Sequence, residues 1–179
     1  MKKLLLLVLA AGTFFLTSCK SDDTSTGPET TVDPIVGVWV SSGANLAPGL
    51  YAAPLNVRSI TATFRADKTY SVVQTDVNNV TTTLTGTYTN SSTTYTDALT
   101  TTGTTGKTIY NIVASQSSPA AVTATGIYAI NASAMTYEVI QTTPAINGVS
   151  APTAAGGFGS TTIAGTKYNI YIQKYVKQQ

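Results

Sequence analysis

The sequence predicts an all-β domain built as an antiparallel up-and-down β-barrel of about eight strands. Three observations support this fold class. Apolar and polar residues alternate with a period of two through most of residues 35–179, which is typical of strands with one wetted face. Threonine is the most abundant residue, and its branched Cβ favours strands over helices. Successive hairpins leave two exposed edges, and closure into a barrel removes both of them.

The first 18 residues have the pattern of a secretory signal peptide. Lys2 and Lys3 supply positive charge, and residues 4–16 form an apolar stretch. A transmembrane helix needs about 20 apolar residues, so this shorter stretch does not fit one. It matches the central region of a cleaved signal instead.

The only cysteine of the chain, Cys19, directly follows this segment. The run Leu16-Thr17-Ser18-Cys19 resembles the lipobox of bacterial lipoproteins, in which cleavage makes the cysteine the new N-terminus. The resemblance implies that Cys19 carries a diacylglyceryl group and an acyl chain such as palmitate, and that these lipids anchor the protein to a membrane. The alternative is an ordinary cleaved signal that ends near a cysteine by chance.

Residues 19–34 combine this cysteine with a polar, proline-containing linker that has too little apolar surface to fold by itself. Lys20 stands where an aspartate would resemble an inner-membrane retention signal, so we expect the bacterial outer membrane. The run from Cys19 to Asp23 loosely resembles the surface-export signal of some Bacteroidetes lipoproteins. Both the periplasmic and the surface face of the envelope stay open.

Residues 35–179 are predicted to form one domain of sequential hairpins. Ile60, Ala62 and Phe64 illustrate the pattern, because they point to one side of a strand while threonines point to the other. Barrel closure predicts that residues 35–40 pair with residues 168–176.

Two long loops interrupt the pattern, at residues 44–56 and 144–160. Long loops on a compact domain are often functional. We expect one or both of them to lie near the mouth of the barrel.

Gly37 and Trp39 form a Gly-x-Trp pattern at the start of the first predicted strand. This pattern resembles the signature of the lipocalins, especially of small lipocalin-like lipoproteins from Bacteroidetes-type bacteria, as does the later FRADKTY run from Phe64 to Tyr70. The resemblance implies a lipocalin-like barrel in which Gly37 permits close backbone approach and Trp39 closes one end. In place of the arginine that lipocalins usually stack on this tryptophan, the end of the chain offers Lys167, Lys174 and Lys177. The alternative is a core tryptophan in another β domain, such as an immunoglobulin-like β-sandwich.

Composition excludes several kinds of site. Histidine is absent and cysteine occurs once, which excludes a histidine-based catalytic triad, a Cys/His zinc site and an intramolecular disulfide. Charged residues make up only 10%, and removal of the signal leaves eight basic and eight acidic side chains. No basic stripe remains that would attract nucleic acid.

The acidic residues of the domain do not suggest catalysis. Asp67 and Asp76 lie at predicted turns, where a capping role is expected, and Glu138 is expected to be solvated. Nothing indicates a converging carboxylate pair. We therefore expect no enzyme activity, no cofactor and no bound metal.

Seven aromatic residues are expected to face the barrel interior by their strand parity. They are Phe64, Tyr70, Tyr88, Tyr110, Tyr128, Tyr137 and Tyr168. Such residues can line an amphipathic cavity or simply fill the barrel. The sequence thus predicts a membrane-anchored envelope lipoprotein that binds a small hydrophobic or amphipathic ligand; the alternative is a cell-surface adhesion or interaction module.

Overall fold

The computed structural model describes residues 33–179, which belong to one compact unit. Its strands are β1 Gly37–Ser42, β2 Val57–Phe64, β3 Thr69–Asp76, β4 Thr81–Thr96, β5 Thr108–Ser118, β6 Val122–Asn131, β7 Ala134–Thr143, β8 Val149–Ser150, β9 Thr162–Ile163, β10 Thr166–Lys167 and β11 Gln173–Lys177. A 3₁₀ turn (Gly43–Asn45) and one helical turn, α1 (Pro48–Tyr51), lie between β1 and β2. No helix within residues 33–179 has the length and apolar character needed to cross a membrane. The signal peptide, the lipidation of Cys19 and most of the linker are predictions that lie outside the described residues.

Eight strands close into one antiparallel barrel in the order β1-β2-β3-β4-β5-β6-β7-β11. Neighbours along the chain pair in sequence up to β7, and β11 then pairs with both β7 and β1. The closing register joins Trp39 to Lys177 and Val40 to Val176. This confirms the predicted up-and-down barrel. The alternative β-sandwich is not formed, because all eight strands belong to one continuous sheet.

The last strand differs from its prediction in both its start and its phase. It begins at Gln173, because a turn closed by a hydrogen bond from the Ile172 N–H to the Asn169 carbonyl interrupts the predicted segment. Tyr168 lies before this turn, is 39% exposed and donates its N–H to Thr161, so its expected inward orientation is wrong. A shift of one residue exchanges the faces of a strand. The buried positions of β11 are therefore Gln173 and Tyr175.

Residues 44–56 and 144–160 were the two loops expected near the mouth of the barrel. Residues 144–160 do not lie there. They cross its outer wall, where a second apolar cluster consists of Ile109, Ile127, Ala129, Ala154 and Phe158. The outer face of β6 is therefore buried around Ile127 and Ala129. Much of the outer face of β4, in contrast, consists of exposed threonines.

Glu138 corrects a second expectation, because its side chain is fully buried instead of solvated. Its carboxylate accepts hydrogen bonds from the Gly159 N–H at 2.6 Å, the Thr161 N–H at 3.3 Å and the Thr161 hydroxyl at 2.5 Å. The loop that covers this wall removes the carboxylate from water and supplies the donors that replace water. Glu138 thus holds the loop against the barrel.

The turn aspartates lie where the sequence predicted. Asp67 accepts a hydrogen bond from the Thr69 N–H at 2.9 Å, and Asp76 accepts one from the Asn78 N–H at 2.8 Å. The hydrogen bonds from Thr69 lower the pKa of Asp67. Both side chains therefore stabilise hairpin turns.

Candidate ligand-binding site

The interior of the barrel is hollow in one half. A cavity of about 220 Å³ lies there. Much of its apolar lining consists of Ile60, Val72, Leu84, Ala114, Ala124 and Val139. Small side chains at two facing positions, Ala114 and Ala124, which pair across β5 and β6, help to leave this space unfilled.

The mouth of this cavity is formed by the connection between β1 and β2. Ala47 and Leu50, from the predicted loop at residues 44–56, line the cavity together with Tyr171. Gln173 holds this connection in place: its side-chain oxygen accepts the Ala47 N–H at 2.8 Å, and its amide group donates to the Ser41 hydroxyl. A backbone hydrogen bond of 2.8 Å from Gly49 to Ile170 adds a second link. The mouth is therefore built by hydrogen bonds between segments far apart in the sequence.

Three of the four tyrosines that line the cavity combine a hydroxyl that has no protein partner with a raised pKa. Tyr70, Tyr137 and Tyr175 have no hydrogen-bond partner for the hydroxyl within residues 33–179. Every fully enclosed side-chain nitrogen or oxygen in those residues does have a partner, so these hydroxyls are not sealed in the core. Burial raises the pKa of all three above its usual value. They are protonated groups that a molecule in the cavity can reach.

The remaining predicted aromatics fill the opposite half of the barrel. Tyr110 and Tyr128 stack with ring centroids 4.9 Å apart, and Phe64 packs edge-on against Tyr88 at 5.2 Å. The Tyr88 hydroxyl donates to the Arg65 carbonyl at 2.9 Å. Burial, helped by nearby carboxylates, raises the pKa of Tyr88 to about 12. The predicted set thus divides: Tyr70 and Tyr137 line the cavity, Tyr168 lies outside, and the others form a packed closed end.

Trp39 lies in the closed end of the barrel. The indole is fully buried, and its N–H donates to the Ile35 carbonyl at 2.7 Å. The Lys177 ammonium lies 5.2 Å from the centre of the ring. Gly37 has a φ of +141°, and a Cβ there would approach the Lys177 Cε to 2.6 Å. Glycine at this position leaves the room that the lysine needs to cover the indole.

A polar network covers the closed end. The Lys68 ammonium donates to Asp33 at 2.6 Å and to the Asn90 side chain at 2.8 Å. The Asn90 amide donates to Asp33 at 3.0 Å and to the buried Tyr128 hydroxyl at 2.6 Å. Residue 33, where the described chain begins, is therefore attached to the end of the barrel opposite the mouth.

Sequence reasoning missed Gln173, Tyr175 and Tyr171, which all line the cavity. The alternation of Gln173 with Tyr175 was visible in the sequence. The preceding segment offers an equally regular alternation in the opposite phase, starting at Tyr168. Only the turn before β11 decides between the two phases.

The cavity is electrically neutral. Its lining, drawn from residues 33–179, contains no charged side chain. Within the same residues, no group of three or more histidine, cysteine or acidic side chains is placed to hold a metal ion. Comparison with known proteins finds no family model, no curated protein and no solved structure that matches this chain. The barrel and its cavity are therefore the features that bear on function.

Proposed function

We propose that this protein is a membrane-anchored lipoprotein of the bacterial envelope whose lipocalin-like barrel binds a small hydrophobic or amphipathic ligand without catalysing a reaction. The observation that carries the binding proposal is the apolar cavity of about 220 Å³ at one end of an otherwise packed barrel. Apolar cavities with a few polar groups are the usual form of small-molecule sites.

The way in which the barrel is built supports a binding role. Protein interiors are normally close-packed, so an unfilled half of a barrel is unusual. The mouth is held by the hydrogen bonds of Gln173, so the site is formed before any ligand arrives. The alternative function, cell-surface adhesion, depends on a β-sandwich fold. The closed barrel takes away that structural basis.

The envelope part of the proposal comes from the signal-like segment and from Cys19. Since residue 33 enters at the closed end, a tether through residues 19–32 would attach opposite the mouth. The mouth would then stay accessible to ligand while the lipid is in the membrane. Metabolic labelling with an alkyne fatty acid tests the anchor: we expect the protein to be labelled and the Cys19→Ser variant to be unlabelled. Equal labelling of the unmodified protein and the variant would contradict lipidation at Cys19.

Binding is tested with n-butylbenzene, which has a size suited to the cavity, and with the chain starting at residue 20. The barrel closes within residues 33–179, so this chain contains the whole fold. We expect butylbenzene to raise the unfolding temperature and to shift the NMR signals of cavity residues, because ligand that binds only the folded state stabilises it.

A matched pair of variants locates the effect. Ala124→Phe places a large ring in the cavity and should abolish the stabilisation by butylbenzene. Ala66→Phe adds the same ring at an exposed turn of the closed end and should leave it unchanged. Stabilisation that survives Ala124→Phe would place the binding elsewhere and contradict the proposal. Mass spectrometry of the protein purified from its own host then identifies the ligand it carries.

A further inference from the structure

We infer that the cavity selects an uncharged molecule of about nine non-hydrogen atoms that has one hydrogen-bonding group, and that it rejects carboxylates and amines of the same size. This inference rests on the proposed binding function and narrows it to a chemical class. It comes from three features of the cavity: its charges, its polar groups and its volume.

No charged side chain of residues 33–179 lines the cavity. Lys68 and Asp33 pair with each other over the closed end, and Lys177 covers the indole there. Glu138 and Asp97 are buried, but their carboxylates are hydrogen-bonded to loops outside the barrel interior. A carboxylate or ammonium group in the cavity would find no opposite charge to replace its hydration. Burial of an unpaired ion is strongly unfavourable.

The polar groups of the cavity are tyrosine hydroxyls and the amides of Gln74, Gln116 and Gln173, and these uncharged groups suit a neutral partner. Within residues 33–179 the hydroxyls of Tyr70, Tyr137 and Tyr175 have no protein partner, and each can donate or accept a hydrogen bond. Their raised pKa values keep them protonated near neutral pH. An alcohol, phenol, ketone or amide on the ligand can pair with such a group, and no ion is needed.

The volume sets the size of the ligand. An apolar cavity of about 150 Å³ holds benzene, which corresponds to roughly 25 Å³ for each non-hydrogen atom. At that ratio the cavity of about 220 Å³ holds about nine such atoms. 1-Octanol has this size and one hydroxyl, and octanoate and octylammonium differ from it mainly in their charged ends.

The test compares these three compounds by NMR titration of the chain starting at residue 20. At pH 7.5 we expect 1-octanol to bind about tenfold or more tightly than octanoate and octylammonium, since only the ions lose hydration without a partner. When the pH falls through the pKa of octanoic acid, its affinity should approach that of 1-octanol, measured at the same pH as a control. Octanoate or octylammonium that binds as tightly as 1-octanol at pH 7.5 would overturn the inference.

The role of the hydroxyls is tested with the double variant Tyr137→Phe/Tyr175→Phe. It should weaken 1-octanol severalfold and leave n-butylbenzene unchanged, because only the alcohol uses a hydroxyl partner. Tyr110→Phe, in the closed end, should change neither affinity. Unchanged affinity for 1-octanol in the double variant would show that the hydroxyls of Tyr137 and Tyr175 do not bind the alcohol. If neither 1-octanol nor butylbenzene binds the unmodified chain, the proposed function itself fails, and this outcome is distinct from a loss of selectivity alone.

Discussion

The two ends of the barrel follow the same alternating sequence pattern, yet one is filled and the other is hollow. At the closed end the inward positions hold Trp39, Phe64 and Tyr128, and the Tyr128 hydroxyl accepts a hydrogen bond from the Asn90 amide. At the open end the inward positions include Ala114 and Ala124, and the tyrosine hydroxyls there have no partner within the described part of the chain. The period of two decides which residues point inward. The size of those residues decides whether they meet across the barrel.

The outer surfaces of the two ends also differ. The closed end carries the Asp33–Lys68 ion pair and also exposes Tyr95 and Leu99, and the connections at the open end expose four large apolar side chains. These are Tyr51, Leu55, Val77 and Val80, which are 40–59% exposed. The clearest difference is thus the ion pair, which attaches residue 33 to the closed end.

Among substitutions that test this difference between the two ends, Trp39→Ala in the closed end is expected to have the largest effect on stability. Truncation of a fully buried tryptophan leaves a large cavity and should lower the free energy of unfolding by about 3–5 kcal/mol. Urea denaturation measures this loss, and the emission of Trp39 in the unmodified protein should be blue-shifted. The exposed Tyr95→Ala serves as the control, with a change within about 0.5 kcal/mol. A loss below about 1 kcal/mol for Trp39→Ala would mean that the indole does not support the closed end.

A smaller effect is expected at the mouth, from Gln173→Ala. This change removes the acceptor of the Ala47 N–H and should lower the free energy of unfolding by about 1–3 kcal/mol. Hydrogen exchange of the Ala47 amide should become faster, while exchange in the closed end stays slow. Equal acceleration at both ends would show that the mouth is not a separately held element.

The smallest effects come from a matched pair of hydroxyl deletions. Tyr128→Phe leaves an Asn90 amide hydrogen without its partner and should lower the free energy of unfolding by about 1 kcal/mol. Tyr137→Phe leaves no stranded partner and should change it by less than about 0.5 kcal/mol. Thermal or urea unfolding of both variants provides the comparison. The reverse order would contradict the paired state of the Tyr128 hydroxyl and the unpaired state of the Tyr137 hydroxyl within the described residues.

Part of the candidate site could be predicted from the sequence, whereas the inward-facing residues of the last strand could not. Tyr70 and Tyr137 follow from strand parity, and they line the cavity. Tyr168 and Tyr175 lie on alternations of opposite phase, and the turn after Asn169 selects the second. This turn is also held by a hydrogen bond from the Gly49 N–H to the Ile170 carbonyl, and Gly49 is distant from it in sequence. Parity within the segment carries no information about this contact.

The position of Glu138 has a similar explanation. Its alternation correctly assigns it to the outer face of β7, with Tyr137 and Val139 inside. Whether an outer face is wet depends on what else packs there, and in this protein residues 144–160 cover it. A glutamate between apolar neighbours looks the same in both situations.

By itself, the sequence determined the fold class, the order of the hairpins, the strand that closes with Trp39 and the residues most able to occupy the interior. These are local properties, because alternation, turn chemistry and β-branching act over a few residues. The tertiary structure alone decided which half of the barrel is hollow, how Gln173 holds the mouth and which loop covers Glu138. Each of these depends on side chains that meet from strands far apart in the chain, where volume and hydrogen-bond geometry act across space.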